Sequence, residues 1–174
     1  MFKEINILKP LFDSPNREFN VRELARILKM APATASKDLK LLSKKGILKQ
    51  RKDRNFIFYK ANLESDFYRD LKIFYNLRKI KDSGLIGSLD KFYLRPSIVL
   101  FGSMSNGLDN ETSDVDLLVL SEKTSDFLEL KKFERLLGKK IQLFIVKNLK
   151  ELKNEHLINN LVNGIIIQGE IKWI

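Results

Sequence analysis

Between Ser97 and Glu122 the chain reads SIVLFGSMSNGLDNETSDVDLLVLSE, and this stretch limits the possible folds more than any other. An apolar run, Ile98 to Phe101, leads straight into Gly102-Ser103. Ten residues, Met104 to Ser113, then separate Ser103 from Asp114-Val115-Asp116, which opens a second apolar run. Short β-branched and aromatic runs bounded by Gly, Asn, Asp and Ser read as two strands joined by a polar loop. On a strand, residues two apart share a face, so Asp114 and Asp116 are expected to project together with Val115 packed behind them. Two carboxylates so close repel each other unless a cation sits between them, and Mg²⁺ takes hard oxygen ligands of this kind. Gly102 lets the backbone approach a ligand closely, and the amides after it can cradle a phosphate with the Ser103 hydroxyl as a further donor. A phosphate cradle beside a metal-holding acidic pair is the equipment for phosphoryl or nucleotidyl transfer.

Gly-Ser, ten residues and Asp-x-Asp resemble the signature of the minimal nucleotidyltransferases, a family of the DNA polymerase beta-like superfamily, over about residues 95–168. The resemblance implies an α+β domain with a mixed β-sheet and flanking helices. It implies that Asp114 and Asp116 are catalytic and hold Mg²⁺, and that Gly102 and Ser103 bind the nucleotide. The implied reaction transfers a nucleoside monophosphate from a nucleoside triphosphate, ATP foremost, to an acceptor. Some members of the family are antitoxins that adenylylate a toxin, so the acceptor could be a hydroxyl on a separate protein. The family pattern also implies a third carboxylate on the next strand, and here the chain departs from it. The run after Gly138 is Lys139-Lys140-Ile141-Gln142-Leu143-Phe144, with Gln142 where relatives carry Asp. An amide cannot take a proton from an attacking hydroxyl at neutral pH and is a weaker cation ligand than a carboxylate.

The charge is divided unevenly. Residues 1–62 hold 15 Lys/Arg against 6 Asp/Glu, and the remaining 112 residues hold 17 against 16. A charge serving solubility alone would be scattered, whereas a small module that neutralises phosphates concentrates it. With no cysteine the chain has no disulfide or thiolate metal site, which fits a cytoplasmic setting, and a single His156 leaves no histidine-rich centre. No apolar run is long enough to cross a membrane, and the N-terminus MFKEINILKP is too polar for a signal peptide.

Pattern in the first third points the same way. Ile5, Leu8, Leu11 and Phe12 recur at helical spacing, as do Val21, Leu24, Ala25 and Leu28. Lys29-Met30-Ala31 makes a turn, and Pro32 suits the first position of a helix that Gly46 stops, with Ala35, Leu39 and Leu42 inward. Two short apolar segments around Arg51-Lys52-Asp53-Arg54-Asn55 then predict a hairpin with a charged tip. This order resembles the winged helix-turn-helix DNA-binding family over residues 1–62, most of all in LARILKMAPATASKDLKLLSKKGIL. The resemblance implies that the third helix enters the major groove of double-stranded DNA. Pro32, Ala33, Thr34, Ser36, Lys37 and Lys40 would lie nearest the bases, and Arg51, Lys52 and Arg54 would follow the backbone or minor groove.

Residues 63–94 read as a helical linker. Phe67, Leu71, Phe74 and Tyr75 form one apolar side, and Ile73, Leu77 and Ile80 another, a width to be buried between domains or in a homodimer. Residues 95–174 complete the division, with a helix over 149–162, a last strand at Ile165–Ile167 and a tail from Gln168. Besides transfer, a DNA-binding regulator whose degenerate transferase domain only binds nucleotide fits the same residues, with Gln142 in its favour. A purely architectural dimer platform is the third reading.

Overall fold

The computed structural model describes residues 3–171 and separates into two compact units, Met1–Tyr75 and Asn76–Ile174. The N-terminal unit runs α1 (Lys3–Asp13), β1 (Phe19–Asn20), α2 (Val21–Ile27), α3 (Pro32–Lys44), β2 (Leu48–Asp53) and β3 (Phe56–Ala61), and takes the start of α4 (Asp66–Asp82). Its three strands form an antiparallel sheet in the order β1-β3-β2. Helix α2 begins where the Asn20 side chain accepts the Glu23 amide at 2.9 Å, satisfying an amide that the first turn leaves without a partner. Pro32 occupies the first turn of α3, where its missing N–H costs nothing. Ile5, Leu8, Leu11, Leu24, Ala35, Leu39 and Leu42 close the core, each large side chain contributing about 1.5–3 kcal/mol on burial.

The inward side of α4 keeps Leu71 and Tyr75 of the side its apolar spacing suggests and takes Tyr68 in place of Phe67 and Phe74. Tyr68 and Tyr75 face the N-terminal core, while Phe67 and Phe74 stay 50% and 41% exposed. The hydroxyls explain the choice. Tyr68 donates to the Leu11 carbonyl at 2.9 Å and Tyr75 to Asp13 Oδ1 at 3.1 Å, so each tyrosine buries its ring and still satisfies its polar end. Farther along, Ile80 is buried in the core of the C-terminal unit.

That second unit adds α5 (Leu85–Tyr93), β4 (Ser97–Phe101), β5 (Val115–Leu120), α6 (Leu130–Leu137), β6 (Ile141–Val146), α7 (Glu155–Val162) and β7 (Ile165–Gln168). Its sheet is mixed, in the order β6-β5-β4-β7, with β5 and β6 parallel and the other pairs antiparallel. On one face Ile98, Leu100, Val115, Leu117 and Val119 pack with Leu85, Leu89, Tyr93 and Phe133. On the other, Val99, Phe101 and Leu118 pack with Leu161. Helix α6 ends at Gly138, whose φ of 65° is the left-handed turn that sends the chain into β6.

The expected helix over 149–162 is broken. Asn148 caps a single 3-10 turn at Leu149–Glu151, and Asn154 accepts the Leu157 amide at 3.1 Å to start α7 afresh. The Asn154 side chain offers the backbone a new start in place of a continuous helix, and it is taken. Of the tail expected from Gln168, that residue closes β7, and residues 172–174 lie outside the described residues. Among the described residues, no helix is long and apolar enough to cross a membrane.

Candidate functional site

Strand β4 delivers the chain to Gly102, where φ turns to 71° and a short 3-10 turn, Gly102–Ser105, begins. The Ser105 hydroxyl donates to the Gly102 carbonyl at 2.8 Å and fastens that turn. Directly across the antiparallel ladder from Phe101 stands Asp116. A Cβ added to Gly102 would collide with Asp116 Oδ2. Glycine is therefore demanded twice, by the left-handed backbone and by the closeness of the carboxylate. The Gly-Ser and Asp-x-Asp elements, separated in sequence, meet in space at this contact, with Ser103 half-buried beside it.

Val115 is fully buried, so the residues on either side of it are turned to the opposite face. Asp114 lies just before β5 and Asp116 within it, both half-buried. Burial first, and the neighbouring Asp114 charge second, push the Asp116 carboxyl above its ordinary value. Gln142 on β6 is in parallel register with Asp116, and its Nε2 donates to Asp114 Oδ2 at 2.8 Å. The amide thus stands where the resemblance implies a third acid, and it replaces a repulsion with a hydrogen bond. No cluster of three His, Cys, Asp or Glu is found among the described residues. What remains is a pair of hard oxygen donors carrying poorly compensated negative charge, a donor set suited to Mg²⁺.

The loop between turn and acids is braced from inside. Lys139 Nζ donates to the carbonyls of Asn110 (2.5 Å) and Ser113 (3.1 Å) and lies 3.8 Å from Asp109. Asn76 donates to Asp109 Oδ1 at 2.7 Å and to the Met104 carbonyl at 3.1 Å. Sequence reading missed all three residues, because a lone acid in a polar loop and a lysine after a helix look solvated until burial is seen.

In the N-terminal unit, Pro32, Ala33, Thr34, Lys37 and Lys40 are exposed on α3 and Ser36 is half-buried, opposite the buried Ala35, Leu39 and Leu42. At the hairpin, Lys52 and Arg54 are exposed, and Arg54 has a φ of 50° at the tip. Arg51, also exposed, is held by neighbouring side chains. Its guanidinium donates to Glu18 Oε2 at 2.6 Å and Asp53 Oδ2 at 3.2 Å and lies over the Phe58 ring. Its hydrogen bond holds the Glu18 carboxyl below the usual range. Two acids therefore compete with any phosphate for Arg51.

Residues 83–167 match the family model described as a nucleotidyltransferase domain. The match spans the Gly102 turn, the acid pair and Gln142. No curated protein gives a significant match to the chain.

The crowding of the two acids has a measurable consequence. A carboxyl whose value is raised by folding favours the folded state at low pH and opposes it once pH rises past that value. At pH 7 in chelator, Asp116→Asn is expected to raise the melting temperature by about 2–4 °C. It should at the same time abolish any stabilisation by Mg²⁺ or Mn²⁺; a lower melting temperature would show that the pair carries no such repulsion.

Proposed function

We propose that the C-terminal unit is a nucleotidyltransferase acting on ATP and that the N-terminal unit is a winged helix-turn-helix module that binds double-stranded DNA. The observation that carries the first half is the Gly102 turn pressed against Asp116, inside the matched nucleotidyltransferase domain. In the reaction, an acceptor oxygen forms a bond to the α-phosphorus while the bond to the bridging oxygen breaks and pyrophosphate leaves. Backbone amides of the Gly102–Ser105 turn and the Ser103 hydroxyl bind and orient phosphate oxygens. Asp114 and Asp116 hold Mg²⁺, which neutralises the charge on the phosphates when bound. Gln142 takes no proton, so the acceptor's proton leaves to a group brought by the acceptor or to water. The acceptor is a hydroxyl on a separate protein, of the kind a toxin presents to its antitoxin. A cytoplasmic location agrees with the absence of cysteine, and a homodimer would present two DNA modules to a two-fold site.

The Gln142–Asp114 hydrogen bond favours a second reading, in which nucleotide is bound and not turned over while the chain regulates DNA. Incubation with ATP labelled at the α-phosphate, Mg²⁺ and the product of a neighbouring gene separates the two. Transfer is expected to be measurable and to rise about 10²-fold in Gln142→Asp, which restores a proton-accepting carboxylate. ATP-dependent stabilisation without transfer in either form would favour the regulator. Absence of both effects would remove both readings.

For the DNA half, α3 offers Thr34, Lys37 and Lys40 to solvent, and Lys52 and Arg54 form no ion pair among the described residues. Duplex binding should weaken as salt rises. Lys52→Ala with Arg54→Ala should flatten the slope of log K against log salt by about 2, while Arg51→Ala should change it less. An unchanged slope in the double variant would refute the assignment of the hairpin to phosphates.

A further inference from the structure

Asn76, Asp109 and Lys139 come from three places in the chain and meet inside the C-terminal unit. The side chains of Asp109 and Lys139 are 3% and 10% exposed, and Asn76 is 2% exposed. Charged groups so deeply placed are costly unless each finds partners. Here the partners are informative. The ammonium of Lys139 bonds the carbonyls at the first and last residues of the Asn110–Ser113 turn, and Ser113 directly precedes Asp114. The Asp109 carboxylate passes the connection to Asn76, whose amide also holds the Met104 carbonyl within the turn that starts at Gly102. One buried cluster therefore grips the loop at both ends, inside the Gly102–Ser105 turn on one side and one residue from the acid pair on the other.

The loop needs such a grip. Its sequence, MSNGLDNETS, is rich in residues that favour turns and gives little apolar surface to bury. Its own bonds are local: Leu108 N–H to the Ser103 carbonyl, and the Asn110 side chain accepting from Thr112 and Ser113. Such bonds shape turns without fixing how far Gly102 stands from Asp114, and the β4–β5 ladder, which sets Phe101 opposite Asp116, ends short of Asp114. A lysine anchored just before β6 does fix it, because the Lys140 carbonyl accepts the Val115 amide at 2.9 Å and ties that segment to the start of β5.

We propose that Asn76, Asp109 and Lys139 are positioning residues that set the spacing between the Gly102–Ser103 turn and Asp114. Nucleotide affinity then depends on a lysine whose contacts lie within the loop. The proposal rests on reading the Gly102 turn and the acid pair as a nucleotide site, and its test separates the two. In the full-length chain, Lys139→Met and Lys139→Arg are compared by amide hydrogen exchange and by calorimetric titration with Mg-ATP. In Lys139→Met, the amides of Leu108, Ser113 and Val115 should exchange about tenfold faster while β4 and α5 keep their protection. The Kd for Mg-ATP should rise by about tenfold or more, and Lys139→Arg should recover most of both losses. Unchanged exchange in the loop would overturn the clamp whatever the affinity does. Faster exchange with unchanged Kd would overturn the positioning role. If the unmutated protein binds no Mg-ATP, the nucleotide reading fails, and exchange alone decides whether the clamp exists. Should Lys139→Met fail to fold, Asp109→Asn keeps an acceptor for Asn76, removes the charge facing Lys139, and is read out in the same way.

Discussion

The closeness of the Gly102 backbone to the Asp116 carboxylate is the constraint on which the C-terminal unit turns. An acid half-buried between a second acid and a backbone turn is a poor arrangement for stability alone. It persists because the strands around it leave no choice: Phe101 and Asp116 face each other in the ladder, and Val115 is locked into the core. Such strain against stability is where function is expected. The same contact explains why a side chain at position 102 is excluded both by conformation and by space.

Gln142 divides what that site can do. Standing in register with Asp116 and bonded to Asp114, it lowers the local repulsion that three acids would create. It also removes the group best placed to accept a proton. The N-terminal unit carries its own core, from Ile5 to Tyr75, and its surplus of positive charge belongs to that core's surface.

Much of this was legible in the sequence. The strands on either side of Gly102 and Asp116 and the inward residues of α3 follow from spacing and alternation, which are local properties, whereas the place of Gln142 beside the acids followed only from the family resemblance. What was hidden depended on partners distant in the chain. Tyr68 turns inward ahead of Phe67 because a carbonyl 57 residues away accepts its hydroxyl. Arg51 is held by Glu18, 33 residues earlier, and nothing in the hairpin sequence announces it. Asp109 and Lys139, separated by the whole of β5 and α6, pass for solvated charges until the fold brings them together. The helix over 149–162 failed for a local reason that was visible: an asparagine in a capping position, Asn154, outweighs apolar periodicity.

The most direct test is a crystal structure grown with Mn²⁺ and a non-hydrolysable ATP analogue, read by the anomalous signal of the metal. A peak is expected at bonding distance from carboxylate oxygens of both Asp114 and Asp116, with the triphosphate lying along the Gly102–Ser105 turn. A nucleotide bound elsewhere, or a metal absent from between the two acids in a nucleotide-bound crystal, would contradict it.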